Sequence, residues 1–396
     1  MLDFDTALGQ LLAAARRQTQ TETVPLAGAD DRVLVADVIA PLAVPSFDNS
    51  AMDGYALNVP DFAAAPQAYP VVARIAAGDV PAPLLPGTAA RIFTGAPIPA
   101  GCNAVEMQEN ARLQGDTLHL ERAPRAGQHI RCTGEDIASG AVVLHAGHRL
   151  EPAALALLAS LGIAEVSVFV PLKVALLNTG DELVEPGQPL APGQIYNSNR
   201  YALAALLQRL GCELTIAGLV ADDFESTRSE LARLAASHDV VISTGGVSVG
   251  EEDHVKAAVQ ALGELNVWKI AIKPGKPFAF GRIADADFIG LPGNPVSAFV
   301  TFLMLVRPFL LARSGAAQTA SVALPLPAGF AWPKAGDRRE FLRVKLGDDG
   351  RVLLYPHQGS AVMTSLAWAD GLVDLPAGQT VAAGDIVRYL PLAGLL

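Results

Sequence analysis

Acidic, basic and small residues recur where the apolar runs of residues 172–315 end, and they are the clearest indication of chemistry. The run VVIS, residues 240–243, leads into TGGVSVGEED. A Gly/Ser loop ahead of a helix offers backbone N–H groups to a phosphate or another oxyanion. A plain tight turn is an equally open interpretation. The loop residues that could hold an oxyanion are Gly245, Gly246 and Ser248.

Acidic side chains follow three of these runs. Glu182 lies in NTGDEL after VALL, Asp222 follows AGLV, and Asp253 ends the stretch EED. Carboxylates gathered on one edge repel each other unless a cation or raised pKa values offset the repulsion. Since Mg²⁺ takes one or two carboxylates together with substrate phosphates, the pattern favours a magnesium ion between these acids and an anionic ligand. A capped turn or complementarity to a helix dipole also explains each acid taken alone.

Three lysines in WKIAIKPGKP are candidates for binding that oxyanion. Lys269 and Lys273 are four residues apart, so a single strand through both would place them on the same face. Lys276 follows in the next loop. Solvated surface lysines are the alternative, but the neighbouring residues are apolar and the chain has a formal net charge of −11. Further on, LPGNP predicts a rigid turn in which Asn294 caps the next helix.

The elements that must position these loops are alternating strands and helices. Runs such as VALL, LTIAGLV, VVIS and FIGL are typical of buried strands, and amphipathic helical patterns lie between them. This alternation predicts βαβ units and a doubly wound, mainly parallel sheet with helices on both faces. Ligands bind beyond the carboxyl ends of the strands in such sheets, so we expect the loops to share one rim.

The rest of the sequence predicts an α/β multidomain protein. Short apolar runs cut by Pro and Gly predict a β-rich domain inserted into a helical linker domain. Short strands between Gly/Asp turns predict a small C-terminal β domain resembling a barrel. We expect four domains with the bounds 1–45 plus 140–170, 46–139, 171–314 and 315–396.

The composition argues against several classes of protein. With 51% hydrophobic and 17% charged residues the chain is typical of globular proteins. Its acidic balance argues against nucleic acid and anionic membranes as partners. The longest apolar run is interrupted by Arg307 and Pro308, so we expect no membrane span. The cysteines are far apart in the sequence, at Cys102, Cys132 and Cys212. Their spacing argues against a disulfide framework and favours a cytoplasmic protein.

Longer motifs occur in order between residues 40 and 370: FDNSAMDGYAL, RIFTGAPIPAGCNAVEMQE, GEDI, NTGDELVEPG, YNSNRYAL, STGGVSVGEEDHVK, IKPGKPFAFG, LPGNPVSA and QGSAVMTSL. Together they resemble the molybdopterin molybdenumtransferases, the MoeA family that includes the gephyrin E-domain. The resemblance implies an enzyme of the last step of molybdenum cofactor synthesis, which inserts molybdate into adenylylated molybdopterin with Mg²⁺ and releases AMP. It also implies an elongated homodimer whose central domain is similar to the molybdopterin adenylyltransferases.

The resemblance further implies roles for single residues. The expected catalytic residues are Asp53, Asp136, Glu182, Asp222 and Asp253, of which the last three would also bind the metal. The cleft would lie between the α/β domain of one subunit and the inserted β region of the other, which supplies Asp53, Thr94 and Asp136. The expected substrate-binding residues are Thr94, Gly245, Gly246, Ser248, Lys269, Lys273, Lys276, Pro292, Pro295, Arg343 and Ser365.

Two alternative functions remain at this point. An ATP-dependent molybdopterin adenylyltransferase uses a similar α/β module, but the stand-alone transferases lack the DNSAMDGYA region and the β insertion. A scaffold or binding protein of the gephyrin type is the second alternative, and the presence of every acid and lysine motif argues for catalysis instead. An adenylyltransferase is a further expected partner besides the small-molecule substrates.

Overall fold

The chain divides into a larger and a smaller unit. The larger unit comprises Met1–Val35, Gly147–Leu150 and Ser167–Leu396, and the smaller unit comprises Ala36–Ala146 and Glu151–Val166. The larger unit begins with helix α1, Phe4–Ala14, and strand β1, Thr21–Pro25. The computed structural model describes residues 1–64, 68–218, 220, 223–245 and 254–395.

The smaller unit is rich in short strands. Its main sheet has six strands in the order β7-β4-β6-β5-β9-β8. Tyr69, Ile92 and Leu118 are buried on this sheet. The strands are β2 Val38–Ile39, β3 Asn49–Ser50, β4 Gly54–Leu57, β5 Ala68–Ile75, β6 Ala89–Ile92, β7 Ala104–Met107, β8 Ala111–Gln114, β9 Thr117–Leu120, β10 Ile130–Arg131 and β11 Val142–Leu144, and the helices are α2 Val59–Ala64 and α3 Pro152–Ser160.

Strand β12, Glu165–Phe169, leads into the central sheet of the larger unit. The sheet order is β16-β13-β17-β21-β20-β18. Its strands are β13 Lys173–Asn178, β16 Glu213–Ile216, β17 Val240–Thr244, β18 Gly263–Lys269, β20 Pro277–Ile283 and β21 Ala286–Leu291. Within the same stretch of chain, β14 Leu183–Val184 and β15 Ile195–Tyr196 pair with each other, and β19 Ile272–Lys273 belongs to the C-terminal sheet. The helices are α4 Ser198–Arg209, α5 Phe224–Ala235, α6 His254–Leu262, α7 Pro295–Thr301 and α8 Arg307–Arg313.

The alternation of side chains along the strands explains why helices cover both faces of this sheet. In β13, Val174 and Leu176 join one core cluster with α4 and α7, while Ala175 and Leu177 join another with α5 and α6. Strands β16, β13, β17 and β21 run parallel. Strand β20 pairs antiparallel with both β21 and β18, so it alone runs in the opposite direction in this sheet. The predicted doubly wound, mainly parallel sheet is confirmed.

A continuous helical run connects the central sheet to the C-terminal region. A π-helical segment, Phe302–Val306, separates α7 from α8. By length and composition the run Pro295–Arg313 could cross a membrane, but 83% of its apolar window is buried inside the protein. Burial of this extent is what a core helix shows.

The C-terminal region forms a second six-stranded sheet of the larger unit. Its order is β19-β23-β25-β26-β22, and β24 pairs with β23. Val344, Val373 and Val387 pack together in its core, which agrees with the predicted small β domain. The elements are β22 Leu324–Pro327, β23 Arg339–Leu346, β24 Val352–Leu354, α9 Met363–Trp368, β25 Gly371–Leu375 and β26 Ile386–Pro391.

The expectation that Lys269 and Lys273 share one strand is wrong. Strand β18 ends at Lys269, whose carbonyl accepts a hydrogen bond from the Leu2 amide. Ile272 and Lys273 then pair in parallel with β23. The chain therefore passes from the central to the C-terminal sheet between the two lysines, and the spacing of four residues no longer determines their faces.

A buried carboxylate joins α1, α8 and the central sheet. Asp287 in β21 is fully buried, and its Oδ2 accepts a hydrogen bond from Arg313 Nε at 2.8 Å. Its Oδ1 lies 3.4 Å from both Arg16 Nη2 and Arg282 Nη2. Arg313 also donates to the Arg16 carbonyl. These ion pairs hold the first helix and the last helix of the α/β region against β21.

We predict that Asp287→Ala lowers the unfolding free energy of the larger unit by about 3–5 kcal/mol, because Arg313 loses its buried counter-ion. The midpoint of urea denaturation, followed by circular dichroism, measures the change. Asp285→Ala is the matched control: that side chain is fully exposed and 3.9 Å from Arg16, so its removal should cost about 1 kcal/mol at most. Equal midpoints for the two variants would contradict the prediction.

Candidate functional site

A cavity of about 930 Å³ opens within the larger unit, beyond the carboxyl ends of the parallel strands. It is the position at which doubly wound sheets bind ligands. Thr179 follows β13, Thr244 ends β17 and Gly245 follows it, and Pro292 and Asn294 follow β21. The cavity brings together these residues of the predicted site: Glu182, Gly245, Lys273, Lys276, Pro292 and Pro295.

The floor of the cavity is fixed by contacts between neighbouring strand ends. Asn178 and Thr244 are register partners, and Asn178 Nδ2 donates to Thr244 Oγ1 at 2.5 Å. Gly245 has a φ of +83°, and a Cβ there would lie 3.3 Å from the Thr179 carbonyl oxygen. The Gly245 amide donates to the Leu291 carbonyl at 3.2 Å. A residue with a side chain would be strained at this turn.

Cationic side chains dominate the cavity wall. Lys273, Lys276 and Arg338 line it, and Glu182 is the only acid among the lining residues within the described part of the chain. Lys273 Nζ lies 3.1 Å from Glu340 Oε2, and the Glu340 carboxylate is buried behind it. A wall with an excess of positive charge attracts anions, even in a protein of negative net charge.

The structure offers hard oxygen donors for a metal ion on this side of the cavity. Glu182 is exposed to it. Asn178, at the end of β13, does not line the cavity, but its buried Oδ1 has no hydrogen-bond partner among the described residues. One carboxylate and one carbonyl oxygen suit Mg²⁺, which keeps several waters and binds substrate phosphates. Within the described ranges, no three His, Cys, Asp or Glu side chains are grouped so that they could hold a metal.

Other predicted residues lie away from the cavity surface or outside the described part of the chain. Lys269 is exposed at the end of β18 and does not line the cavity. Arg343 and Ser365 are fully buried and bond to each other at 3.2 Å behind the wall. The residues outside the described ranges are Asp222, Gly246, Ser248 and Asp253.

Several lining residues were missed by sequence reasoning. Arg338 precedes β23, and Ser360 belongs to the loop Gln358–Ala361, which forms part of the wall. The motif QGSA contains that loop and could have indicated it. Asn294 stands at the cap position of α7 but makes no side-chain capping bond. Its exposed side chain lines the cavity, so the expected cap is not formed.

The smaller unit holds a separate group of predicted residues. The N–H and O–H groups of Thr94 both donate to Asp53 Oδ1, each at 2.8 Å. The two bonds hold the pKa of Asp53 below its ordinary value, and the bond from the Thr94 backbone contributes most. The positive charge of Arg91 lowers this pKa further. A Cβ on Gly54 would meet the Glu106 carbonyl oxygen at 1.9 Å, so only glycine fits beside Asp53. Asp136 is exposed in the same unit.

Comparison with known proteins decides the family. Three family models match in order: the MoeA N-terminal region (domain I and II) over residues 2–162, the probable molybdopterin binding domain over 175–312, and the MoeA C-terminal region (domain IV) over 325–392. A molybdopterin molybdenumtransferase of Haemophilus influenzae is 47% identical over 100% of both chains. The chain belongs to the molybdopterin molybdenumtransferase family.

Further relatives of the family agree with this membership. Molybdopterin molybdenumtransferase 2 of Mycobacterium tuberculosis is 39% identical over 95% of this chain and 96% of its own. The solved structure of a molybdopterin biosynthesis MoeA protein from Pyrococcus horikoshii OT3 has a TM-score of 0.86 at 30% identity. It covers 98% of this chain and 100% of that one. The predictions of this family, its multidomain α/β fold and a transferase enzyme are confirmed.

The positions of two lysines give a matched test of the cavity. We predict that Lys276→Ala weakens molybdate binding about tenfold, because one unit charge leaves the wall, whereas Lys269→Ala changes it less than about twofold. Isothermal titration calorimetry measures both dissociation constants. Both lysines are exposed, so neither substitution leaves a buried carboxylate unpaired. An equal loss of affinity in the two variants would place the oxyanion elsewhere.

Proposed function

We propose that this family member inserts molybdate into adenylylated molybdopterin and releases AMP, with the help of Mg²⁺. The observation that carries the proposal is the cationic wall formed by Lys273, Lys276 and Arg338 at the strand ends of the α/β region. Molybdate and the phosphoanhydride of adenylylated molybdopterin are both anionic. The cavity volume of about 930 Å³ is within the range of small-molecule and cofactor sites.

The cationic side chains supply binding and orientation. Lys276 is exposed and can hold an oxyanion, while Glu340 fixes the Nζ of Lys273 at 3.1 Å. The Arg338 guanidinium lies 3.6 Å from the exposed Asp337 carboxylate and donates to the Ile272 carbonyl, so it adds charge to the wall from a fixed position. Cations that are already in place stabilise the negative charge that develops on the leaving phosphate of AMP. They also bring molybdate close to the pterin dithiolene, and holding reactants in position removes a large part of a barrier.

Glu182 is the described residue that would hold Mg²⁺, and Asp222 and Asp253 are the predicted acids outside the described ranges. Bound Mg²⁺ would neutralise charge on the phosphoanhydride. Glu182 is exposed to the cavity, so it can take a cation without the cost of burying an unpaired carboxylate.

Asp53, Thr94 and Asp136 are proposed to act on the cavity of a partner chain in a homodimer. Since Thr94 occupies Oδ1 of Asp53 with two hydrogen bonds, the other carboxylate oxygen is the one that can accept a proton donor of the substrate or of water. Its lowered pKa makes Asp53 a weak base. It is therefore suited to orienting such a group and less suited to removing its proton. A cytoplasmic location and an adenylyltransferase that delivers the substrate complete the proposal.

The proposed reaction is tested with purified protein, adenylylated molybdopterin, molybdate and Mg²⁺. We predict that AMP is released, that Glu182→Gln lowers the rate at least about 100-fold, and that EDTA abolishes release until Mg²⁺ is restored. AMP is measured by chromatography. Consumption of ATP with molybdopterin, in the absence of molybdate, would instead identify an adenylyltransferase.

The shared cleft is tested by mixing two inactive variants. Asp53→Ala changes the smaller unit and Glu182→Ala changes the larger unit, so a mixed dimer keeps one intact cleft. Random exchange of subunits should restore about a quarter of the wild-type AMP release, since half of the dimers are mixed and each has one site of two. A mixture as inactive as its parents, with exchange verified by mass spectrometry, would show that one chain supplies all of these residues.

A further inference from the structure

An arginine of the smaller unit reaches the chain around Asp53 from the neighbouring strand. Arg91 lies in β6, where it is the register partner of Tyr55 in β4. Its Nη1 donates to the Gly54 carbonyl at 3.2 Å, and its Nη2 donates to Gln108 Oε1 at 2.5 Å. The guanidinium group therefore links β4 and β6 with the turn that follows β7.

Two aromatic rings border the same guanidinium group. The Cζ of Arg91 lies 5.1 Å from the centroid of the Tyr55 ring and 4.8 Å from that of the Phe93 ring. The negative faces of aromatic rings attract a cation at such distances. Tyr55 lies two residues after Asp53, and Phe93 directly precedes Thr94. Arg91 thus contacts both chain segments that carry the bonded pair of Asp53 and Thr94.

The position of Asp53 depends on three sets of contacts. Thr94 holds its carboxylate, the Gln108 amide donates to its carbonyl at 3.1 Å, and Arg91 holds the carbonyl of the next residue, Gly54. Because Arg91 also binds the side chain of Gln108, its removal would loosen two of these three sets at once.

The charge of Arg91 acts on Asp53 as well. Both hydrogen-bond acceptors of Arg91 are uncharged. The bonds from Thr94 lower the pKa of Asp53 most, and the Arg91 charge lowers it further. Two acids of the same region, Glu106 and Glu109, accept hydrogen bonds from side-chain amides instead. A nearby cation favours the ionised form of a carboxyl group.

We propose that Arg91 is a positioning residue that holds Asp53 in the conformation required for the reaction. The reaction that Asp53 serves rests on the proposed function, whereas the contacts that hold Asp53 do not. Lysine at this position keeps the charge but cannot reproduce the fork that reaches Gly54 and Gln108 together. Methionine removes both the fork and the charge.

The rate of AMP release tests the proposal in the full-length protein. Arg91→Met should lower kcat about 100-fold, because a displaced catalytic group is as costly as a missing contact. Arg91→Lys should lower kcat about tenfold, as expected for one lost hydrogen bond. In both variants the KM for adenylylated molybdopterin should change less than about twofold, since the Nη atoms of Arg91 are engaged by protein groups. A loss seen in KM with kcat unchanged would overturn the proposal.

Arg74 provides the matched control. It is the register partner of Arg91 on β5 and lies over the same Phe93 ring at 4.5 Å. Arg74 is exposed, and of the two arginines it is Arg91 that donates to the chain around Asp53. Arg74→Met should therefore keep kcat within about twofold of wild type.

The titration of Asp53 is a second readout, which a general loss of stability would not change. Full-length protein with 13C-labelled aspartate carboxyl groups is titrated by NMR, and Asp53→Asn assigns the signal. The pKa of Asp53 should rise in Arg91→Met, rise less in Arg91→Lys and stay low in Arg74→Met. An unchanged pKa in Arg91→Met, or an equal rise in Arg74→Met, would overturn the proposal.

Circular dichroism verifies that the variants fold. If Arg91→Met does not fold, Gln108→Ala tests the same link from its exposed end: it removes the acceptor of Nη2 and keeps the backbone bond to Asp53. Its kcat should fall about fivefold, and an unchanged kcat would count against the role of Arg91. If the wild-type protein releases no AMP, the proposed function fails, and the Asp53 titration decides the role of Arg91.

Discussion

The candidate site requires like charges to be held together on one wall of the cavity. Lys273, Lys276 and Arg338 line the same cavity, and like charges around one cavity repel each other. A buried Glu340 offsets part of this repulsion from behind, through its contact with Lys273 at 3.1 Å. Among the described lining residues positive charge stays in excess, which favours anions at this cavity. A chain with a net charge of −11 would otherwise repel them.

The pairing of two sheets makes this arrangement possible. Strand β19 has only two residues, and its register sets Lys273 directly beside Glu340 of β23. The same strand β23 begins next to Arg338 and carries Arg343. The C-terminal sheet therefore completes a site that the parallel sheet begins, and the wall loop 358–361 is part of that contribution. In this protein the ligand cavity is built by two sheets of one unit.

Local patterns in the sequence predicted the central sheet well, because strands buried on both faces give apolar runs of fixed length between helices. They failed where a residue's neighbours are distant in the chain. The strand change after Lys269 depends on pairing with β23, some 70 residues later, and no periodicity reveals such pairing. Arg338 and Ser360 were missed for the same reason. Family resemblance singled out Arg343 as a substrate-binding residue. Its burial and its contacts, which the sequence does not reveal, show that it lies behind the wall and not at the cavity surface.

The two groups of predicted site residues are each stabilised within their own unit. Thr94 donates two hydrogen bonds to one carboxylate oxygen of Asp53, and Glu340 forms an ion pair with Lys273. The residues in one unit therefore do not require those in the other unit for their conformation. This independence has a consequence for catalysis. Side chains held before substrate arrives lose little conformational entropy on binding. If Asp53 and Lys273 were not held in this way, each would be free to pair with other groups before a substrate arrives. Thr94 and Glu340 thus hold Asp53 and Lys273 in place before a substrate binds, which is a condition that the proposed reaction requires.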